Sequence, residues 1–189
     1  MRYSTSLLLT TVCFLPLAAG CSEGSSLRIW TARQGGVVRD FHQPRVDRVA
    51  AAIAQSEVGH PLAVQVLDSA DPAAFSWPSG EVFVTRRLVD LLDDDELGAA
   101  IAHEMGHLLG DGFLKDSREK SIAALRGCCK DLDAESRADA IGAKLLHAHG
   151  LCAQSMARML EKVRGSASLT DDSRSAIGQR IELLRAGSP

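Results

Sequence analysis

His103-Glu104-Met105-Gly106-His107 places two imidazoles four residues apart, with a carboxylate beside the first. On a helix, residues i and i+4 lie one above the other, so both rings project from one face toward a single ion. Glu104, next to His103, can polarise a metal-bound water as a general base. A hydrolytic zinc centre takes three protein ligands and keeps one position open. One route to the third ligand is a Gly three residues and a His six residues after the second His. Gly110 fits the first requirement, but position 113 is Phe113, so that route fails. The other route is a carboxylate on a later helix, and the segment from Asp133 to Gly142 offers Glu135, Asp139 and Gly142 on one helical face. Glu135 can ligate, Asp139 can accept a hydrogen bond from a ligand His, and Gly142 permits close helix contact. Taken alone, the same acids read equally well as the solvated face of an amphipathic helix.

These side chains need helices to aim them. Asp93 and Glu96 form a capping pair for a helix running to about Leu109 and stopping at Gly110. Leu97, Ile101 and Leu108 lie well away from the two His around that helix, so one side can be buried while another presents ligands. Upstream, Val46, Val49, Ala50 and Ile53 give a helix over Pro44–Val58 one apolar face, with Gly59 as its stop. Leu62, Val64 and Val66 alternate like a half-buried strand reaching Asp68. Pro72, Pro78, Ser79 and Gly80 mark a loop and turn, followed by a second strand over Glu81–Thr85 and a short helix over Arg87–Leu92. Further helices are expected over Leu114–Arg126, Leu132–His149, Cys152–Val163 and Ser173–Arg185. The fold class is therefore α+β and mainly helical, with a small sheet of about three strands.

From about Pro44 to Val163 the chain resembles the gluzincin zinc peptidases that include HtpX and the CAAX prenyl proteases, and among them the small periplasmic lipoprotein members. The resemblance rests on Phe75-Ser-Trp-Pro78-Ser-Gly80-Glu-Val-Phe-Val-Thr85-Arg86, then His103 to His107, then Glu135 to Asp139, in that order. It implies a gluzincin-type domain over residues 41–189, with one zinc per chain held by His103, His107 and Glu135. Glu104 would be the base and Asp139 the partner behind a ligand. It also implies that the strand holding Val82, Phe83 and Val84 borders the cleft, either as an edge that pairs with an extended peptide substrate or as scaffold alone. The chain departs from the family at Ser79 and Arg87, and no His follows His149. The usual late donor is thus unassigned, with Arg174 and Arg180 open either to oxyanion stabilisation or to surface ion pairs. His147 and His149 suit a helix C-terminus, where positive charge is favoured. His42 and His60 carry no recognisable geometry.

Residues 1–20 read as a leader: Arg2 precedes an apolar run from Leu7 to Ala19 that is too short to span a bilayer. Leu17-Ala18-Ala19-Gly20-Cys21 resembles the lipobox of bacterial lipoproteins, which implies lipidation at Cys21, and Ser22 resembles the pattern sent on to the outer membrane. Residues 21–40 would then be the lipidated Cys and a tether. Cys128, Cys129 and Cys152 leave a disulfide to Cys152 and a reduced set equally open, and with no Cys-x-x-Cys pair a thiolate zinc site is unsupported. A net charge of −3 without basic blocks argues against nucleic-acid binding. The expected function is a zinc endopeptidase acting on misfolded or assembling envelope proteins at the periplasmic face of the outer membrane. The alternative is a catalytically weak zinc-binding chaperone or assembly factor with the same anchor.

Overall fold

The computed structural model describes residues 23–54, 62–77, 79–110, 132–166 and 169–186. In chain order these form α1 (Glu23–Arg33), β1 (Val37–Val38), α2 (Gln43–Ala54), β2 (Val64–Leu67), β3 (Ala74–Ser76), β4 (Val82–Thr85), α3 (Arg86–Leu91), α4 (Asp94–Gly110), α5 (Leu132–Ala148), α6 (Ser155–Arg164) and α7 (Asp171–Ala186). The α+β, mainly helical expectation holds. The stop expected at Gly59 and the helix expected over Leu114–Arg126 lie outside the described residues.

The sheet has four strands in the order β1-β2-β4-β3. β2 runs parallel to β4, with Val64 opposite Val82 and Val66 opposite Val84. β1 and β3 pair antiparallel on either side. Strand alternation sends Val64, Val66, Val82 and Val84 into the main core beside α2 and α4. It sends Phe83 to the opposite face, where Trp30 of α1 lies 5.5 Å from it, 5.2 Å from Phe75 and 5.3 Å from Trp77, ring centre to ring centre. Such aromatic contacts add about 0.5–1.5 kcal/mol each beyond the area they bury.

Two expectations are corrected here. Residues 23–40 are not a plain tether: α1 covers the outer face of the sheet, and β1 extends it. The cause is Trp30, whose ring is large enough to close the aromatic cluster from a helix of otherwise modest polarity. The strand carrying Val82, Phe83 and Val84 is not an edge either. Both of its sides are already paired, with β2 and with β3, and the three side chains are 0–1% exposed. The outer strands are β1 and β3, and of these β3 is the one in contact with α4.

α4 is the centre of the molecule. Every residue from Glu96 to Leu108 is buried, so this helix has no solvent face to set against an apolar one. It touches α2, α5, α6, β3 and β4. Its start is fixed reciprocally, as the sequence suggests: Asp93 Oδ1 accepts from the Glu96 amide at 2.9 Å, and Glu96 Oε2 accepts from the Asp93 amide at 2.9 Å. Lys162 of α6 reaches the same Glu96 carboxylate, which answers the cost of burying that charge. Thr85 closes β4 and opens α3 at once, its hydroxyl accepting from the Leu88 amide at 3.2 Å and from the Ala73 amide at 3.0 Å.

Candidate metal centre

The centre arises where α4 and α5 cross with almost no space between them. A Cβ on Gly106 would lie 2.4 Å from the Ala138 carbonyl oxygen, and one on Gly142 would lie 3.0 Å from the Ala102 carbonyl. Two glycines, one on each helix, therefore let the backbones meet. That approach carries Glu135, one turn before Asp139 on α5, over the imidazoles of α4. The ligand face of α4 is buried because α5 lies on it, which is why the one-sided burial expected from the sequence is not seen.

Ligand atoms of His103, His107 and Glu135 all lie within 4.8 Å of one another. His103 Nε2 is 3.4 Å from Glu135 Oε2, and His107 Nε2 is 3.4 Å from Glu135 Oε1. Ligands bound tetrahedrally at 2.0–2.2 Å stand roughly 3.3–3.6 Å apart, so this spacing suits a small ion such as zinc. The two rings are 4.8 Å apart and nearly perpendicular, at 85°. Both are buried, with His103 8% and His107 5% exposed. Two imidazole nitrogens and a carboxylate oxygen are a fitting donor set for zinc, and Glu104 stands beside them on the same helix.

Behind the ligands lies a set of charged hydrogen bonds. His103 Nδ1 donates to Asp139 Oδ1 at 2.8 Å, which fixes the orientation of the ring and turns its Nε2 edge toward Glu135. Arg180 of α7 holds Asp139 in a two-point grip, Nε to Oδ2 and Nη2 to Oδ1, each at 2.7 Å. Its Nη1 donates to Glu135 Oε2, also at 2.7 Å. One guanidinium thus fixes a candidate ligand and the partner of another. Arg180 is no surface pair: its side chain is 10% exposed, and three of its five N–H groups are given to carboxylates. A signal for this is present in the sequence, since Arg180 lies among Ile177 and Ile181, the buried positions of α7. Arg174, by contrast, donates to the carbonyls of Arg164 and Ser166 and closes the end of α6.

Burial opposes charge throughout this cluster, and the pairing overrides it. For His103, burial works downward, yet hydrogen bonds to Asp139 and Glu135 hold its pKa up at about 9. His107 is likewise raised, by Glu135 and Glu104 against burial. Glu135 and Asp139 are lowered despite burial, the first by the two imidazoles and the second by Arg180 and His103. A site so stocked with negative charge favours a cation.

A cleft of about 120 Å³ opens beside His103 and Glu104, between Ala74 of β3 and α6 and α7. The Thr85 amide bonds the Ala73 carbonyl, and the Trp77 amide bonds the Glu81 carbonyl. In an antiparallel pair these bonds fall on alternate residues, so the amide and carbonyl groups of Ala74 and Ser76 face away from β4, on the free edge. The remaining sequence candidates lie elsewhere. His147 stands in the last turn of α5, as a helix-end charge should. His42 is tied into an ion-pair network with Asp40 and Asp90, a geometry the sequence did not disclose. Cys152 is an exposed free thiol, and Cys21, His60, Cys128 and Cys129 lie outside the described residues.

Residues 41–125 match the model of Peptidase family M48. The match takes in His103 to His107 and ends before Glu135. Metalloprotease LoiP of Escherichia coli (strain K12) is 34% identical over 64 residues, which is 34% of this chain and 25% of that protein. Metalloprotease YcaL of the same organism is 28% identical over 108 residues, 57% of this chain and 41% of that protein. The chain thus spans well under two thirds of the length of these relatives. The likenesses support a metallopeptidase of the M48 kind.

Proposed function

We propose that the chain is a zinc-dependent endopeptidase of the M48 kind, with His103, His107 and Glu135 as ligands and Glu104 as general base. The observation that carries this reading is the convergence of the three ligand atoms within 4.8 Å on two helices, with Glu104 beside them. When bound, zinc supplies Lewis acidity to the scissile carbonyl and lowers the pKa of the attacking water. Glu104 takes the proton of that water and returns it to the leaving amine. Asp139 keeps the His103 ring in register, and Arg180 keeps Asp139 and Glu135 in place. The substrate backbone lies along the free edge of β3, where the groups of Ala74 and Ser76 offer main-chain pairing with loose sequence preference. Burial around His103 and Glu104 limits competing water.

Protein or peptide substrates follow from the reaction class. For the setting, the Leu17-Ala-Ala-Gly-Cys21 run supports a lipid anchor on Cys21 and a place at the periplasmic face of the outer membrane, where misfolded or assembling envelope proteins are the substrates. Among the described residues no helix is long and apolar enough to cross a membrane. Glu104→Gln tests the reading: cleavage of a denatured protein substrate should fall by at least about 100-fold while bound zinc stays level with wild type. Unchanged cleavage would remove Glu104 from the reaction. An envelope defect rescued equally well by wild type and Glu104→Gln would instead favour the anchored zinc-binding chaperone.

A further inference from the structure

We infer that the outward face of α1, continued by Val37 and Phe41, lies on the surface of an anionic phospholipid bilayer and turns the metal centre away from it; this rests on the Cys21 anchor proposed above. Among the described residues the exposed large apolar side chains are Ile29, Val37, Phe41 and Leu183. The first three follow one another between α1 and the start of α2, in the part of the chain next to Cys21. Apolar side chains exposed singly need no account, whereas a group of them rimmed by polar residues marks an interaction surface.

The geometry of α1 gathers them. Trp30 and Thr31 turn to the sheet. By helical geometry Arg28, Ile29, Ala32 and Arg33 then occupy an arc of roughly 140° on the opposite side. All four are exposed. The Gly36 amide bonds the Thr31 carbonyl at 2.9 Å, which folds the chain back and sets Val37 close to the last turn of α1. Val38 packs against the core, so alternation turns Val37 to the side of the sheet that α1 covers. Phe41, 81% exposed, stands in the turn before α2. Charge and chain length select a membrane as the occupant. The chain carries −3 overall, yet the stretch from Glu23 to Phe41 holds Arg28, Arg33 and Arg39 against two acids. One of these acids, Asp40, is already paired with Arg86 and His42. Arg on either side of an exposed Ile suits headgroup phosphates with an apolar side chain between them. Only Ser22 separates Cys21 from α1, so a lipid there holds the start of the helix within roughly 10 Å of the bilayer. α4 lies on the other face of the sheet, so a membrane under α1 leaves His103 and Glu104 on the far side, open to substrate.

The test introduces one tryptophan at a time into the full chain, returned from detergent to vesicles of phosphatidylethanolamine and phosphatidylglycerol. The fluorescence added over wild type by Ile29→Trp and by Phe41→Trp should fall by about half or more when the lipids carry bromine high on their acyl chains. That added by Leu183→Trp, on α7, should stay unchanged. Arg28→Glu with Arg33→Glu should weaken the quenching at Phe41→Trp several-fold, with zinc content equal to wild type. The mass of the N-terminal peptide reads the anchor separately. If Cys21 carries no lipid, flotation with the same vesicles at low salt decides: wild type that floats and Ile29→Asp that does not uphold the face while the anchor alone fails. Absence of quenching at Ile29→Trp in an anchored chain, equal quenching at Leu183→Trp, or equal flotation of wild type and Ile29→Asp overturns the proposal. A dimer in detergent that Ile29→Asp dissociates, without quenching in vesicles, overturns it as well and gives the face to a second copy of the chain.

Discussion

Asp139 makes no contact with substrate in the proposed reaction, yet much of the centre depends on it. It accepts from His103 Nδ1 and, at both oxygens, from Arg180. Replacing Asp139 by Asn keeps the shape but gives up the charge, and zinc affinity should fall roughly 10- to 100-fold, measurable by competition with a chelating dye. Arg180→Leu is the harsher change, because it takes the guanidinium from the buried Asp139 and the partly buried Glu135. Its stability should drop by about 3–5 kcal/mol in urea unfolding, as in other buried pairs that lose one partner. Arg180→Lys restores the charge without the two-point grip and should recover only part of that loss. If Arg180→Leu unfolds at the wild-type midpoint, the guanidinium is not the brace described here.

At the scale of elements, the α4–α5 crossing decides whether ligands on two helices become one site. Gly106→Ala places a Cβ against the Ala138 carbonyl, so the helices must separate. Both zinc content and thermal midpoint should fall together, although no ligand has been touched; retention of full zinc would show that the close approach is dispensable. A second prediction concerns the turn before α2. His42 lies between Asp40 and Asp90, at 2.9 Å from each. Burial lowers its pKa, but the two carboxylates outweigh this and raise it. The backbone hydrogen bond from His42, helped by Arg86, lowers Asp40 to about 2. A raised folded pKa on His42 gives stability that is complete below about pH 6.5 and lost as pH rises through the folded value. The lowered Asp40 gives stability that is present above about pH 4 and lost as pH falls toward 2. The stability difference between wild type and His42→Ala should therefore be greatest between these limits and shrink on either side. A difference that does not vary with pH would mean that this network does not titrate.

Across the whole molecule, legibility followed how local the determining interaction was. The helix of α4 was readable because Asp93 and Glu96 cap it within one turn. The partners of its two His were readable because Glu135, Asp139 and Gly142 repeat at helical spacing. Sheet order was not, since whether β4 is central depends on a partner, β3, of three residues whose only local mark is the turn at Gly80. For the same reason α1 passed for a tether: Trp30 declares its role only once Phe75 and Phe83 are beside it. Arg180, far along the chain from His103, was visible as a candidate but not as a clamp. Zinc should also bind these parts together. With free zinc at about 1,000 times its dissociation constant the gain is about 4 kcal/mol, so chelation should lower the thermal midpoint by on the order of 10 °C, reversibly.

The most direct test is bound zinc per chain in the purified protein, prepared without chelator, beside its Glu135→Ala variant. About one zinc in the wild type and a clear loss in a variant that remains folded by circular dichroism are expected of a site with two imidazoles and one carboxylate. A folded wild type without zinc, or a Glu135→Ala variant that binds it as tightly, would contradict the three-ligand centre.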